Sequence, residues 1–373
     1  MTRIEISGDQ LRKNLQAIRR HIGKDMQVFP VVKANAYGHG IKEVVSVLDG
    51  FVDGWCVEDT FELLELRRFS KKPVVVVGYV ETTALDEDVC AETIFSLFCF
   101  EQFAAFELLA KKIGTPIRVH VKLDALLGRL GFLHSDLAKL AEMLRGSPWL
   151  KPEAAYTHFS TIKSNNMEFA QKQMQLFEGM LAELRSRTNW SWRTHMCASG
   201  GIVYAQERMQ KDMLVRPGAI LYGLWPSKKE LQATEDFKLV QECLRFATNV
   251  IQIKKLPINY PIGYDRTYIT QHETLLGIIP VGYSDGFDRR LSNNGEVLVA
   301  GVRCAVLGRI SMNVAAIDLS NVPGVKIGEE VVIIGKQGAE TIDLTEIANK
   351  EGTIAYDVAT QLNSNIPRNV IYA

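Results

Sequence analysis

The sequence predicts an α/β protein in which an N-terminal (β/α)₈ barrel is followed by a C-terminal, mainly β domain. Up to about residue 225, short apolar runs alternate with amphipathic stretches. Beyond a polar stretch, the pattern changes to short strands separated by Gly, Asn and Pro. The length of 373 residues suits one large domain and a smaller one.

The candidate barrel strands are eight short runs of apolar or β-branched residues. They cover residues 27–33, 52–57, 73–78, 93–98, 117–123, 153–158, 193–197 and 214–216. Several are apolar almost throughout, as expected when helices cover both faces of a parallel sheet. The stretches between them are amphipathic, and the first places Leu11, Leu15, Ile18 and Ile22 on one helical face. Eight such units favour a closed barrel, although a doubly wound open sheet is a competing architecture that periodicity alone leaves open.

The polar, charged stretch at residues 227–237 marks the predicted domain boundary. We therefore expect a barrel over residues 1–234 and a mainly β domain over residues 235–373. Candidate strands of the second domain cover residues 275–281, 296–299, 302–307, 315–318 and 330–334, and residues 344–350 form a candidate helix.

Composition excludes several classes of protein. Lys plus Arg and Asp plus Glu both total 43, so there is no electrostatic case for binding nucleic acid or an anionic membrane. The N-terminus lacks the pattern of a secretory signal, and no apolar run approaches the roughly 20 residues of a membrane helix. The six cysteines are scattered, as in a protein with reduced thiols. We expect a cytoplasmic protein, without a metal site, that binds neither nucleic acid nor membrane.

Polar residues at the C-terminal ends of the predicted strands are the candidate site, because a (β/α)₈ barrel carries its chemistry there. Lys33 ends the first strand, His158 the sixth, Ser199 follows the seventh and Arg216 the eighth. A lysine in this position is usually only solvated, but a partly desolvated amine can bond covalently to an aldehyde. Glycines after strands seven and eight free backbone N–H groups that often bind phosphate in this fold.

Seven motifs together resemble the alanine racemases. They are VVKANAYGHG, VKLDALLGRLGF, YTHFS, VRPGAILYGLWP, IGYDRTY, IPVGYSDGFDRRL and GRISMN. They occur in that family's order and with similar spacing. The resemblance implies a pyridoxal 5'-phosphate-dependent isomerase that interconverts L-alanine and D-alanine, supplying D-alanine for peptidoglycan. It also implies a head-to-tail homodimer, in which each active site combines the barrel of one subunit with part of the β domain of the other.

The resemblance also implies residue roles. Lys33 would hold the cofactor and act as one base, and Tyr264, contributed across the dimer, would be the second base on the opposite face. The further cofactor-binding residues would be Tyr37, Arg129, His158, Ser199, Arg216, Gly218, Ala219 and Tyr356. Arg216 would face the pyridine nitrogen and be hydrogen-bonded to His158. Arg129 and Met312 would contact the substrate, and Lys122 matches a lysine that is often carbamylated to orient the arginine.

Some positions depart from the family pattern. The family usually has Asp-Thr-Gly-Met-Gly-Arg where this chain has Asp-Ala-Leu-Leu-Gly-Arg, ending at Arg129. Ser364 stands in place of a tyrosine at the inner gate of the pocket. Lys163 replaces a usual acidic residue, and Asn313 replaces an aspartate. The residues expected to control access and specificity are Lys163, Tyr283, Arg289, Arg309 and Ser364.

Three alternatives remain at this point. Ser364 and Lys163 leave open a racemase of other or broader specificity, acting on serine or lysine. A decarboxylase or aldolase on the same scaffold is disfavoured by Arg216, because such decarboxylases place an acidic residue at the pyridine nitrogen. A non-catalytic protein that binds pyridoxal phosphate is disfavoured by the second domain and by Tyr264, since a carrier needs neither.

Overall fold

The computed structural model describes residues 1–162, 167–225 and 234–372. The first strand, β1 (Arg3–Ser7), belongs to a sheet of the second half of the molecule. The next eight strands are parallel and make up the barrel. They are β2 (Gln27–Val28), β3 (Trp55–Val57), β4 (Val74–Val76), β5 (Thr93–Leu97), β6 (Ile117–Lys122), β7 (Leu150–Tyr156), β8 (Arg193–His195) and β9 (Leu214–Val215).

The barrel is closed. Strands β3 to β8 form one continuous parallel sheet, and β2 pairs with β9. Single bridges between Val31 and Cys56 and between Ala198 and Arg216 join these two pieces on either side. Each strand therefore has two neighbours, and residues Val74–Val76 are buried on both faces, as their apolar sequence predicted. This confirms the predicted barrel and excludes the open doubly wound sheet.

Helices cover the barrel at the predicted amphipathic stretches, and several further short helices were not predicted. Helix α1 (Gly8–Ile22) begins after Ser7, whose hydroxyl accepts a hydrogen bond from the backbone N–H of Gln10, and it buries Leu11, Leu15 and Ile18. The other segments around the barrel are α2 (Lys33–Tyr37), which is a left-handed turn from Ala34 onward, α3 (Ile41–Leu48), α4 (Thr60–Leu66), α5 (Glu87–Ala91), α6 (Phe100–Ile113), α7 (Leu137–Gly146), α8 (Glu168–Thr188), α9 (Ser199–Tyr204) and α10 (Gln206–Met209). The second half contains α11 (Leu344–Glu351) and α12 (Ala355–Thr360). None of the helices in the described ranges is long and apolar enough to cross a membrane.

The second half is built mainly from β-sheets, as the short strand patterns predicted, and its strands pair antiparallel except for the parallel pair of β1 and β20. A seven-stranded sheet contains β1, β10 (Leu244–Asn249), β15 (Glu296–Val299), β16 (Val302–Ala305), β18 (Glu330–Gln337), β19 (Glu340–Ile342) and β20 (Arg368–Ile371). A three-stranded sheet contains β11 (Gln252–Leu256), β14 (Thr274–Ile279) and β17 (Ala315–Asp318). A short hairpin pairs β12 (Pro261–Ile262) with β13 (Tyr268–Ile269). The turn of this hairpin carries Tyr264.

The N-terminal strand was not among the predicted strands. In β1, Ile4 lies opposite Phe246 of β10 and beside Arg368 of β20. The first residues of the chain thus complete the C-terminal sheet before the chain enters the barrel. We keep residues 1–234 and 235–373 as our proposed division into domains, with β1 crossing it.

Candidate active site

One cavity at the C-terminal ends of the barrel strands gathers ten of the predicted residues. It has a volume of about 1010 Å³. Its walls include Lys33, Tyr37, Lys122, Arg129, His158, Ser199, Arg216, Gly218, Ala219 and Tyr356. Residues that are far apart in sequence meet here because parallel strands bring their carboxyl ends to the same rim of a barrel.

The segment that carries Lys33 has an unusual backbone. The predicted strand over residues 27–33 was too long: β2 ends at Val28 and the last bridge is at Val31. From Ala34 to Tyr37, four consecutive residues are left-handed, with φ between 51° and 54°. Each left-handed non-glycine residue costs roughly 1–2 kcal/mol, so this turn persists only because its surroundings hold it.

Contacts at both ends hold the left-handed turn. The carboxylate of Glu62 on α4 accepts hydrogen bonds from the backbone N–H groups of Ala34 at 2.6 Å and Glu58 at 2.7 Å. Burial raises the pKa of Glu62. At the other end Gly38 lies so close to α12 that a Cβ there would stand 1.9 Å from the carbonyl oxygen of Ala359. Sequence reasoning singled out none of these contacts.

Glu58 is a cavity residue that sequence analysis missed. Its Oε2 lies 2.9 Å from Lys33 Nζ, and both side chains are partly exposed, at 42% and 36%. Glu58 directly follows β3 on the rim where Lys33 follows β2. The rule that selected Lys33, a polar residue at the carboxyl end of a strand, would therefore have found it.

Cationic groups predominate in the cavity. Among the described residues, Lys33, Lys122, Arg129 and Arg216 face it, and two carboxylates do so, those of Glu58 and Asp357. Burial, with the nearby Arg129 and Arg216, lowers the pKa of Lys122 to about 8. An excess of positive charge in a partly enclosed cavity favours an anionic ligand.

Tyr156 forms a floor beneath two of these cations. The guanidinium carbon of Arg216 lies 5.1 Å and Lys122 Nζ 5.6 Å from the centroid of its ring. The ring also stacks on His195 at 4.5 Å, and its hydroxyl is 2.6 Å from that of Ser96. Packing against the Tyr156 ring thus helps to fix the positions of the Arg216 and Lys122 side chains in the cavity.

The guanidinium of Arg216 is hydrogen-bonded through one nitrogen but not through another. Its Nη2 donates to the carbonyl oxygen of Thr157 at 2.9 Å, while its Nε is buried without a hydrogen-bond partner in the described part of the chain. The hydrogen bond to the ring of His158, which the resemblance implied, is absent, because the guanidinium turns to the backbone one residue earlier. Burial and the charge of Arg216 hold the pKa of His158 well below its usual range, so this imidazole is neutral.

The two glycine-containing loops after β8 and β9 are in contact with each other. The hydroxyl of Ser199, at the start of α9, accepts from the backbone N–H groups of Gly218 at 3.1 Å and Ile220 at 3.3 Å. A Cβ on Gly218 would stand 2.5 Å from the hydroxyl oxygen of Tyr37, so only glycine fits there. Burial raises the pKa of Tyr37, which keeps this hydroxyl a hydrogen-bond donor. Ala219 begins the 3₁₀ turn Ala219–Tyr222 on the same side.

A single carboxylate organises the loop that carries Arg129. Asp124 accepts hydrogen bonds from the N–H groups of Leu127, Gly128 and Arg129 at 2.8 to 3.0 Å. Leu126 is left-handed, with φ of 64°, at the position where the resembling family has glycine. The bulkier sequence therefore keeps the backbone shape that glycine favours.

The other predicted residues that the structure describes do not line this cavity. Tyr264 and Met312 lie on the second half and are exposed, at 67% and 55%. Tyr283 begins the 3₁₀ turn Tyr283–Asp285, and Arg289 begins the turn Arg289–Leu291. Arg309 pairs with Asp265, next to Tyr264, at 2.8 Å.

Ser364 lines a neighbouring cavity of about 510 Å³. The two cavities share Ala34 and Thr360 as wall residues. Ser364 therefore borders the turn that carries Lys33 without lining the main cavity. Lys163 lies outside the described residues.

Comparison with known proteins gives a consistent result over the whole chain. A family model described as "Alanine racemase, N-terminal domain" matches residues 6–226, and one described as "Alanine racemase, C-terminal domain" matches residues 243–370. Alanine racemase 1 of Caldanaerobacter subterraneus subsp. tengcongensis is 34% identical, over 100% of this chain and 95% of that protein. The alanine racemase of Methanococcus maripaludis is 33% identical, over 98% of this chain and 97% of that protein.

Solved structures agree with this result. The crystal structure of alanine racemase from Bacillus anthracis with bound L-Ala-P superposes with a TM-score of 0.91 at 30% identity, covering 99% of this chain and 95% of that one. A structure of alanine racemase from Clostridium difficile 630 gives a TM-score of 0.90 at 28% identity, covering 100% and 96%.

Proposed function

This chain belongs to the alanine racemase family, and from that premise we propose that it is an isomerase that interconverts L-alanine and D-alanine with pyridoxal 5'-phosphate. The observation that carries the proposal is the placement of Lys33 in one cavity with Arg216 and with the paired loops of Ser199 and Gly218. The relatives named above and the L-Ala-P bound in the Bacillus anthracis structure support alanine as the substrate.

The cavity residues fit pyridoxal phosphate. The excess of cationic groups suits a phosphate and a substrate carboxylate. The buried Nε of Arg216 has no hydrogen-bond partner among the described residues, and the absence of a side chain at Gly218 lets its backbone approach the hydroxyl of Tyr37. Lys33 would hold the cofactor covalently. The phosphate would be held by Tyr37, Ser199, Gly218, Ala219 and Tyr356. Arg216 would face the pyridine nitrogen, with the neutral His158 lining the same cavity, and Arg129 would lie near the phenolic oxygen. When bound, the cofactor acidifies the Cα–H group of an attached amino acid by delocalising negative charge.

Racemisation then needs one proton-transfer group on each face of Cα. We assign Lys33 Nζ to one face and the hydroxyl of Tyr264 from the second subunit to the other, each acting as base in one direction and acid in the reverse. Glu58 supports Lys33 by accepting a hydrogen bond from its amine. A guanidinium does not surrender its proton in proteins, so Arg216 would hydrogen-bond the pyridine nitrogen without protonating it. A pyridine ring that stays unprotonated would withdraw electrons less strongly, and this would disfavour transamination.

We further propose a head-to-tail homodimer with shared active sites. Tyr264, Met312 and Tyr283 are 67%, 55% and 42% exposed in the single chain, a cluster of apolar side chains that suits an interface. Met312 would contact the substrate carboxylate through its backbone N–H, with Arg289, Arg309 and Lys163 along the approach. The proposal places the enzyme in the cytoplasm, where its six unpaired thiols would stay reduced, and assigns it the supply of D-alanine for peptidoglycan.

The first test is spectroscopic and isotopic. We expect the purified protein to absorb near ~420 nm, as lysine-bound pyridoxal phosphate does. In deuterated water with L-alanine, NMR should show deuterium at Cα, and a chiral assay should show D-alanine. Cofactor absorbance without exchange on any amino acid would favour the non-catalytic alternative. Absence of cofactor after reconstitution would refute the proposed chemistry.

A second candidate function, a racemase of broader specificity, is favoured by the cavity beside Ser364. Because it adjoins the main cavity and is lined by Asn35, Ser284 and Asn363 among others, it offers polar space near the substrate. Racemisation rates for alanine, serine, lysine and glutamate separate the two functions. A higher racemisation rate with serine or lysine than with alanine would make that amino acid, and not alanine, the main substrate.

Lys122 gives a prediction about pH and carbon dioxide. Its pKa of about 8 leaves on the order of 10²-fold more neutral amine at pH 7 than an ordinary lysine has. Since only the neutral amine attacks carbon dioxide, the carbamate should increase as the pH rises towards 8 and above, and diminish below that value. Carbon-13 NMR with labelled bicarbonate should show a carbamate signal that Lys122→Arg removes and the control Lys139→Arg retains. Signals that survive in Lys122→Arg would contradict this assignment.

A further inference from the structure

The left-handed turn at Lys33 needs support from outside its own segment. Within the turn, the N–H of Gly38 donates to the carbonyl oxygen of Ala34 at 3.0 Å, and that of Gly40 to the carbonyl of Asn35 at 2.9 Å. The side chain of Asn35 accepts from the N–H of Ile41 at 3.0 Å. These bonds close the turn but do not fix its position relative to the cavity.

Arg368, in β20 of the C-terminal sheet, links the turn to a neighbouring loop and so fixes the position of the turn. Its Nε donates to the carbonyl oxygen of Gly38 at 2.9 Å. The two other guanidinium nitrogens donate to backbone carbonyl oxygens of the loop over residues 362–366. These are Asn363 at 3.1 Å, Ser364 at 3.2 Å, Ile366 at 3.0 Å and Leu362 at 3.2 Å. One side chain thus ties the end of the Lys33 turn to a C-terminal loop.

The packing around Gly40 strengthens this link. A Cβ at Gly40 would stand 3.0 Å from Cδ of Arg368 and 2.1 Å from the carboxylate of Glu43. Burial lowers the pKa of Arg368, while the charge of Glu43 opposes this effect. The guanidinium is therefore partly removed from water and satisfied mainly by backbone oxygens, a geometry that only the planar, five-donor arginine side chain provides.

The same loop continues towards the residues expected to cross the dimer. The side-chain amide of Asn363 donates to the carbonyl oxygen of Ser284 at 2.8 Å. The hydroxyl of Ser284 in turn donates to the carbonyl oxygen of Met312 at 2.8 Å. A continuous series of hydrogen bonds therefore leads from Gly38 through Arg368 to the segment of Met312.

We propose that Arg368 is a positioning residue for catalysis, which holds the left-handed turn of Lys33 in register with the C-terminal loop over residues 362–366. The proposal rests on the assignment of Lys33 as a catalytic base. Arg368 itself touches neither substrate nor cofactor in this assignment. Its contribution is to the geometry of the turn that carries Lys33 and Tyr37.

The test compares Arg368→Lys with a matched control, Arg245→Lys. Arg245 is a partly buried arginine in β10 that pairs with Glu5 and Glu330 away from the cavity. Lysine keeps the charge at position 368 but cannot reach five carbonyls. We expect kcat for alanine to fall roughly 10- to 100-fold with little change in KM, because small misplacement of a reacting group has effects of this size. Arg245→Lys should keep kcat within about twofold.

A second readout does not depend on activity. In the cofactor-free protein, hydrogen exchange at the amides of Gly38, Gly40 and Ile41 should be at least about 10-fold faster in Arg368→Lys than in the wild type, with barrel amides such as Val75 unchanged. If the variant does not fold, hydrogen exchange of the native wild-type protein in low concentrations of denaturant tests the proposal. Gly40 and Ile366 should then open together.

Unchanged exchange and unchanged kcat in Arg368→Lys, or separate opening of the two segments in the wild type, would overturn the proposal. Failure of the wild type to racemise alanine would refute the proposed function instead. The exchange result would still decide whether Arg368 holds the turn.

Discussion

Replacing Lys33 with alanine is expected to remove the covalently bound cofactor and to lower kcat/KM for alanine by more than about 10³-fold. General acid–base catalysis alone contributes roughly 10²- to 10⁴-fold, and Lys33 would also form the covalent link. Borohydride reduction followed by mass spectrometry should find the cofactor on the peptide of Lys33 in the wild type and on no peptide of the variant.

The fold should tolerate this change. The Lys33–Glu58 pair is partly exposed, at 36% and 42%, and such pairs contribute about 0–1 kcal/mol. Compared with the cofactor-free wild type, the variant should therefore lose no more than about 1 kcal/mol of unfolding free energy, which circular dichroism in urea can measure. The comparison uses the cofactor-free protein because a bound cofactor itself stabilises the native state. Lys42→Ala on the exposed face of α3 is the matched control and should keep both cofactor and activity. A Lys33→Ala protein that still racemises alanine at the wild-type rate would remove Lys33 from the mechanism.

The barrel was predictable because its signal is local. Each strand is a short apolar run, and the number and alternation of these runs already favoured closure. The gathering of Lys33, His158, Ser199 and Arg216 followed from the same rule, since the C-terminal ends of parallel strands share one rim. By contrast, β1 pairs with β10, more than 230 residues further along the chain, and five residues of alternating pattern do not identify such a distant partner.

The left-handed turn was not predictable from its own residues. Of Ala34, Asn35, Ala36 and Tyr37, only asparagine is enriched at positive φ. The conformation depends on Glu62 and Arg368, which come from a neighbouring helix and from the far end of the chain. The directions of side chains were not predictable from the sequence pattern either. The pattern placed His158 and Arg216 on one rim of the barrel, but it did not predict that Arg216 would donate to the carbonyl oxygen of Thr157.

The role of Tyr264 has a different basis from that of the cavity residues. In the single chain it is 67% exposed on the turn between β12 and β13, and the neighbouring Asp265 pairs with Arg309. Nothing in its local sequence marks a base, so its assignment depends on the family resemblance. The structure adds that the ion pair of Asp265 with Arg309 anchors the turn, while the side chain of Tyr264 remains exposed.

Replacing Tyr264 with phenylalanine is therefore expected to slow racemisation strongly while leaving the cofactor bound. Removing the hydroxyl eliminates proton transfer on one face, so the rate should fall by about 10²- to 10⁴-fold. Lys33 should still exchange the Cα proton of one enantiomer. NMR in deuterated water, run separately on L-alanine and D-alanine, should then show deuterium incorporation into one of them without inversion. Equal exchange of both enantiomers would contradict a two-base mechanism.

Mixing the two inactive variants tests the shared site directly. If each site takes Lys33 from one subunit and Tyr264 from the other, a heterodimer of Lys33→Ala and Tyr264→Phe chains has one intact site and one doubly defective site. Random assembly of equal amounts should restore about one quarter of the wild-type activity, because half of the dimers are heterodimers and each has one active site of two. Pairing Lys33→Ala with a chain carrying both substitutions is the control and should restore none. Absence of recovery in heterodimers isolated by two different affinity tags would mean that each subunit builds its site alone, and Tyr264 would then have to act within its own chain.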